Sequence, residues 1–319
     1  MDYLHDEHLS VGTRDYLRVL NAGGRPVESL PAAEARKVLV DVQAAVDVDL
    51  SGIDESQHSI EADGRALTLH LVRPHGSRRR LPFFVFIHGG GWVLGDYPTH
   101  RRLVRDLVVE SDAAALFVDY TPSPEAKYPQ AVEEIYAAMK WTAENAEGLD
   151  LDRHRMAVVG NSVGGNMALA AALLAKKWHT PALRALVLLW PVTSASPDWR
   201  SYALYGEERF LTASLMKWMF DQYTEDPKAR EEILLSPINA SPEELYGLPP
   251  TLIVVAENDI LRDQGEAMGR RLDEAGVETT TVRFNGVIHD WGMLNGFAQL
   301  APTRDLILFA AAVLRHRLR

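Results

Sequence analysis

An α/β fold with a mostly parallel central sheet is the architecture this sequence predicts, on three observations. Short, nearly unbroken apolar runs recur along the chain, as in LPFFVFI (81–87), MAVVG (156–160) and TLIVVA (251–256). Such runs mark strands buried on both faces, the condition of a parallel sheet covered by helices. Helix-length segments separate them, and strands alternating with helices imply right-handed crossovers. At 319 residues, 47% hydrophobic and 24% charged, the chain can bury a core of that size.

The elements follow in order. Residues 10–47 read as helical, with an apolar stripe through Ala33, Val38, Val42 and Val46. ALTLHLVRP (66–74) reads as a strand, followed by LPFFVFI, AALFV (114–118), MAVVG, ALVLLW (185–190), TLIVVA and TTTVRF (279–284). Helices are expected near 100–111, 130–145, 163–177, 263–275 and 302–317. Residues 194–247 break the alternation. They carry no strand pattern but are rich in aromatics, among them Trp199, Tyr202, Phe210, Trp218 and Tyr223. TASLMKWMFDQY (212–223) is helical in pattern, with Leu215, Trp218 and Met219 on one face. An insertion there would sit over the carboxyl edge of the sheet, where ligands bind in open α/β folds. The expected division is a helical cap from 1–50 and 194–247, over a catalytic α/β domain from 51–193 and 248–319. Taken singly, most of the aromatics are expected to be core of the cap.

Composition removes several classes of function. A net charge of −11 argues against nucleic acid and anionic membranes as partners, because both require clustered Lys and Arg. Arg78-Arg79-Arg80 is expected to be a solvated loop. With no cysteine, disulfides, thiolate catalysis and cysteine metal sites are excluded. The opening MDYLHDEHLS is acidic and lacks the basic-then-apolar pattern of a signal peptide, and LILFAAAVL (306–314) is about half of a membrane span. A soluble, cytoplasmic protein is the expectation.

Two glycine-rich motifs carry the chemistry. Gly160-Asn161-Ser162-Val163-Gly164 lies between a strand and an apolar helix, the context of a G-x-S-x-G nucleophile elbow. A serine on so sharp a turn needs neighbours without bulk, and its hydroxyl then stands at a helix N-terminus that favours developing negative charge. The second motif, His88-Gly89-Gly90-Gly91, closes a buried strand and precedes the serine by 162 − 88 = 74 residues. Consecutive glycines expose backbone N–H groups, and acyl transfer needs such donors aimed at an oxyanion, each worth roughly 3–4 kcal/mol. The hole is assigned to the N–H groups of Gly90, Gly91 and Val163, with Gly89 providing the turn and His88 buttressing the loop. A phosphate loop would want a lysine and Ser/Thr next, whereas Trp92 and Val93 follow.

A serine nucleophile needs a base and the base an orienting acid, in the chain order Ser, acid, His for this architecture. Beyond the last two strands only His289 and His316 remain. His316 sits between arginines in a helix, so His289 is the expected base. The acid is Asp259 or Asp263, with Glu257 behind them. Asp263 with Glu266 reads as an N-cap and its capping-box partner, which leaves Asp259 for catalysis. Asp290, adjacent in sequence to the histidine, is poorly placed to orient its ring.

HGGGW, GNSVGG, VDYTPSPEAKYPQAVEE, ENDILRDQGEA and IHDW together resemble the hormone-sensitive-lipase-like branch of the α/β-hydrolase esterases, from about residue 65 to 315. The resemblance implies an α/β-hydrolase fold with a helical cap, and a serine carboxylesterase acting on short- to medium-chain acyl esters. By motif position it implies Ser162 as nucleophile, Asp259 as acid, His289 as base and His88–Gly91 as oxyanion loop. Asn161 stands where the family commonly has Asp, Val163 where Ala is usual, and TPSPE in place of a commoner RLAPE. No metal or organic cofactor is required. An amidase or lactonase would use the same triad, and a non-catalytic ligand-binding protein on this scaffold would be expected to lose a triad member. Trp92, Tyr202, Phe210, Leu211 and Trp218 are the candidate pocket residues. The expected partner is a small acyl ester, and pairing into a homodimer through the last strand and helix is compatible with the fold.

Overall fold

The computed structural model describes residues 3–319. Helices α1 (Val11–Leu20) and α2 (Ala32–Ala44) precede the sheet. They are not one continuous helix over 10–47: Gly23 and Gly24 take positive φ, and Pro31 occupies the N-cap of α2. The buried face of α2 also differs from the expected stripe. Ala35, Leu39 and Gln43 face inward, while Ala33 and Val46 are exposed. Gln43 is buried because its amide donates to the Thr99 and Met293 carbonyls, at 2.6 and 3.1 Å.

The strands are β1 (Ile53–Ala62), β2 (Arg65–Pro74), β3 (Leu81–Ile87), β4 (Ala114–Asp119), β5 (Leu151–Asn161), β6 (Ala185–Leu189), β7 (Thr251–Asn258) and β8 (Thr279–Ile288). They form one eight-stranded sheet in the order β1-β2-β4-β3-β5-β6-β7-β8. Only β2 runs against the rest, pairing antiparallel with β1 on one side and β4 on the other. β1 was not expected from the sequence: it is an edge strand exposed along most of its length, joined to β2 by Asp63-Gly64, both at positive φ. That is the backbone a two-residue hairpin needs.

Eight further helices complete the fold: α3 (Tyr97–Ser111), α4 (Gln130–Asn145), α5 (Val163–Trp178), α6 (Arg200–Tyr205), α7 (Ala213–Tyr223), α8 (Pro242–Leu245), α9 (Arg262–Glu274) and α10 (Ala301–Arg317). α3 and α10 pack together on one face of the sheet, and α4, α5 and α9 cover the other. α5 is apolar on nearly every side, with twelve buried residues, as a helix pressed into the core must be. Residues 194–247 hold helices and no strand. Buried Tyr205, Phe220 and Tyr223 make them part of the core. The N-terminal segment joins them through the buried Arg209–Asp6 ion pair, at 2.8 Å. No helix among the described residues is long and apolar enough to cross a membrane. Arg79 and Arg80 of the basic cluster are exposed and pair with Asp112 and Glu147.

Register places the functional edge. At the carboxyl end of the sheet Asn161 pairs with Leu189, and Asn258 pairs with Ile288. β8 therefore runs four residues past its expected end, through an irregularity at Gly286. The start of α5 is drawn tightly onto β3: a Cβ at Gly164 would lie 2.0 Å from the Ile87 carbonyl oxygen. Gly148, by contrast, has no atom within 4 Å of its Cβ position. Gly164→Ala should lower the melting temperature by several degrees through overpacking worth about 1–3 kcal/mol or more. Gly148→Ala should leave it nearly unchanged, and thermal denaturation followed by circular dichroism checks both.

Candidate active site

Ser162, Asp259 and His289 are each the first residue beyond a strand, β5, β7 and β8 in turn. The pairing of Asn258 with Ile288 makes Asp259 and His289 neighbours across two adjacent strands. Ser162 joins them from β5 by adopting φ 55°, ψ −121°, a conformation that costs a non-glycine residue about 1–3 kcal/mol. Its backbone is fastened in return. The N–H donates to the Leu189 carbonyl at 2.8 Å, and its carbonyl accepts from Val192 and Asn166, both at 3.1 Å. The side chain makes no capping bond to α5. Ser162 Oγ instead lies 3.0 Å from His289 Nε2, and His289 Nδ1 lies 2.7 Å from Asp259 Oδ2. The structure brings all three predicted residues together.

An ionised carboxylate only accepts, so the Asp259 contact keeps the imidazole proton on Nδ1 and leaves the Nε2 lone pair facing the hydroxyl. The second oxygen of Asp259 accepts the Leu261 N–H at 2.9 Å, so its geometry is held from both sides. Burial alone would lower the His289 pKa. The carboxylates of Asp259 and Asp290 outweigh burial and raise it above the ordinary 6.5. Asp290 Oδ2 is 3.7 Å from His289 Nε2, on the side of the ring away from the Asp259 bond, so it does not hold Nδ1.

The glycine loop lies beside this line. Gly90 and Gly91 have φ of 109° and 64°, and they make the turn. Gly89, expected to make it, has ordinary φ; its requirement is space, because a Cβ there would fall 2.6 Å from Asn161 Nδ2. The loop carbonyls are used: Gly90 O accepts from Leu94 N–H at 2.7 Å and Trp92 O from Ser123 N–H at 2.8 Å. Among the described residues no acceptor pairs with the N–H of Gly90, Gly91 or Val163. Three donors of that kind can receive a developing oxyanion. His88 is buried and stacked on Tyr120 and Phe117, at 4.2 and 5.3 Å between ring centres, and its Nδ1 bonds the Gly89 carbonyl at 2.8 Å. Burial lowers its pKa, so it packs as a neutral ring. From α2, Arg36 donates to the Val93 and Ser123 carbonyls and pairs with Glu125, which ties the TPSPE segment to the glycine loop.

The remaining predicted residues divide. Asp263 is not an N-cap: α9 begins at Arg262 with Leu261 as its N-cap, because the Asp259–Leu261 turn starts the helix two residues earlier. Asp263 instead accepts the Ser201 N–H at 2.9 Å and pairs with Arg262. Glu257 holds the Gly286 N–H at 2.8 Å and contacts His8. His316 is exposed. Trp92 is wholly buried and stacked on Tyr223 at 4.4 Å. Tyr202 borders a surface cleft of about 710 Å³ whose lining includes none of Ser162, Asp259 and His289. Leu211 is buried, Phe210 and Trp218 are half-buried. One residue was missed. Met219 of α7 packs directly on the glycine loop, with its sulfur 2.0 Å from where a Gly91 Cβ would be. The signal was present in the sequence, since Met219 shares the inward face of α7 with Leu215.

A sequence profile described as the alpha/beta hydrolase fold matches residues 84–293. The chain belongs to the α/β-hydrolase family, in its hormone-sensitive-lipase-like branch. The crystal structure of a thermostable esterase from Pseudomonas putida is similar to this α/β-hydrolase with a TM-score of 0.97 and 50% identity, covering 98% of this chain and 99% of that one. An ethyl acetate hydrolase from Pseudomonas putida is 32% identical over 311 residues, 94% of this chain and 97% of its own. A putative alpha/beta hydrolase of Acanthamoeba polyphaga mimivirus is 37% identical over 284 residues, 88% of this chain and 80% of its own.

A base at position 289 works only when neutral, and its pKa is raised. The acid limb of kcat/KM, which reports the free enzyme, should therefore have its midpoint above ~6.5. A pH–rate profile on a soluble acyl ester measures it; a midpoint well below that value contradicts the two-carboxylate environment.

Proposed function

We propose that this α/β-hydrolase is a serine carboxylesterase that hydrolyses short- to medium-chain acyl esters through an acyl-enzyme. The observation that carries this reading is the buried line from Ser162 Oγ to His289 to Asp259, at 3.0 and 2.7 Å, beside three unpaired N–H groups. The names of the esterase relatives support it.

In this mechanism Ser162 Oγ attacks the ester carbonyl as His289 Nε2 takes its proton. Asp259 holds the ring in its Nδ1–H tautomer and stabilises the imidazolium. The carbonyl oxygen, now an anion, is received by the N–H groups of Gly90, Gly91 and Val163. His289 returns its proton to the departing alcohol oxygen, leaving Ser162 acylated. Water then attacks the acyl carbonyl with His289 again as base, and collapse of the second tetrahedral intermediate releases the acid and restores the serine. Helices at 1–50 and 194–247 act as a cap over the remaining α/β domain.

Chain-length preference follows from the cap. Met219 lies against Gly91, and Phe220 and Tyr223 of the same helix pack on Trp92 at 5.0 and 4.4 Å. These side chains limit the room beside the oxyanion loop and favour short acyl groups. A series of p-nitrophenyl esters from acetate to dodecanoate tests the reading. Acetate and butyrate should be hydrolysed fastest, and Ser162→Ala should lose roughly four to six orders of magnitude in kcat. Met219→Ala should shift the preference toward longer chains. A Ser162→Ala variant of undiminished activity would overturn the reading, and an unchanged preference in Met219→Ala would remove the role given to that side chain.

A further inference from the structure

Asp290 is a second buried carboxylate at the site, 5% exposed, and the triad does not use it. It holds φ of 60°, a left-handed conformation that Asp tolerates better than most residues. Its Oδ1 accepts two hydrogen bonds, from Trp190 Nε1 at 2.6 Å and from Asn161 Nδ2 at 3.1 Å. Trp190 is the first residue beyond β6, and Asn161 immediately precedes the proposed nucleophile. Asn161 in turn accepts the Gly89 N–H on its Oδ1, at 2.9 Å. One polar chain thus links the histidine loop, the elbow and the first residue of the glycine loop.

An asparagine amide has a donating end and an accepting end, and the two cannot be exchanged freely. With the carboxylate of Asp290 on one side, the Nδ2 end must face it. The Oδ1 end is then left for the Gly89 N–H. Taking the serine esterase reading as its basis, we propose that Asp290 is a positioning residue: through Asn161 it sets the register of the oxyanion loop against the nucleophile elbow, and it places a second negative charge beside His289 Nε2.

The chemistry of position 161 follows. An aspartate there could accept from Gly89, but it would face Asp290 across about the 3.1 Å that now separates donor from acceptor. Both groups are buried, so water would screen the repulsion poorly. The raised pKa of His289 agrees with a carboxylate on each side of the ring. Other titratable groups near this network are few. Tyr16 of α1 feels Asp290, and burial with that charge raises its phenol to about 12. Tyr202 of α6 feels Asp259, and its phenol is likewise raised. His100 of α3 lies 3.4 Å from Asn161 Nδ2, and burial holds it neutral, well below its ordinary pKa. Arg102, also of α3, bonds the Gly292 and Met293 carbonyls and pairs with Asp106.

Three variants separate the parts of the proposal. Asp290→Asn keeps an oxygen for Trp190 and Asn161, removes the charge and puts an amide nitrogen in place of Oδ2. Its acid limb of kcat/KM should move down by about one pH unit. Asn161→Asp should lose tenfold or more in kcat with a smaller change in KM, because the oxyanion loop moves while the cap does not. The double variant Asn161→Asp/Asp290→Asn removes the paired charges and should recover several-fold in kcat over Asn161→Asp. Wild-type kcat in Asn161→Asp, a double variant no better than that single one, or an unmoved limb in Asp290→Asn would each overturn the proposal. Ser162→Ala is run in the same assay. If it stays active the esterase reading itself fails, whereas if it is inactive and the Asp290 and Asn161 variants behave as wild type, only this inference fails. Asp290→Asn is isosteric, so the pH profile remains readable even if Asn161→Asp folds poorly.

Discussion

The pairing of Asn258 with Ile288 is the constraint on which the site rests. Neighbouring parallel strands lie about 5 Å apart, so the residues just past that pair, Asp259 and His289, emerge side by side from the same edge. No long loop has to find its partner. The irregularity in β8 makes the match: it adds residues around Gly286, whose carbonyl accepts from Ser10 and Thr13 and whose N–H donates to Glu257. The N-terminal segment is thereby used to hold the end of β8.

The serine arrives by a different route. It sits in a conformation that β-carbon-bearing residues avoid, and the surrounding backbone supports it with three hydrogen bonds to Leu189, Val192 and Asn166. That arrangement is affordable only where the neighbours are small enough for α5 to approach β3, which explains Gly164 against the Ile87 carbonyl. Stability and chemistry draw on the same atoms here. Because Val163 is the first residue of α5, its N–H has no helical partner and is available to an anion.

Much of this was legible in the sequence, because the strands that carry the site are buried on both faces. LPFFVFI and MAVVG announce β3 and the core of β5 by composition alone, and His289 and Asp259 could then be picked from the few His and Asp residues beyond the late strands, although both strands run further than their apolar cores. What escaped lay outside the hydrophobic signal. β1 has the sequence IDESQHSIEA and is exposed along most of its length, so its pairing with β2 leaves no pattern. The inward stripe of α2 ends in Gln43, which is buried by hydrogen bonds rather than by apolarity. Asp263 carries a capping-box spacing, yet the helix starts earlier because Asp259 already closes the preceding turn. The link from Asp290 to Asn161 spans 129 residues and depends on one left-handed backbone angle, which no local pattern discloses.

In the proposed mechanism a single serine, activated by His289, forms a covalent acyl-type bond. The most direct measurement is mass spectrometry of the intact protein and its peptides after reaction with diethyl p-nitrophenyl phosphate, which phosphorylates an activated serine and releases p-nitrophenol. One diethylphosphoryl group per chain is expected, on the peptide containing Ser162, formed more slowly as His289 becomes protonated. Labelling that is spread over several residues, or that persists at full stoichiometry in Ser162→Ala, would contradict it.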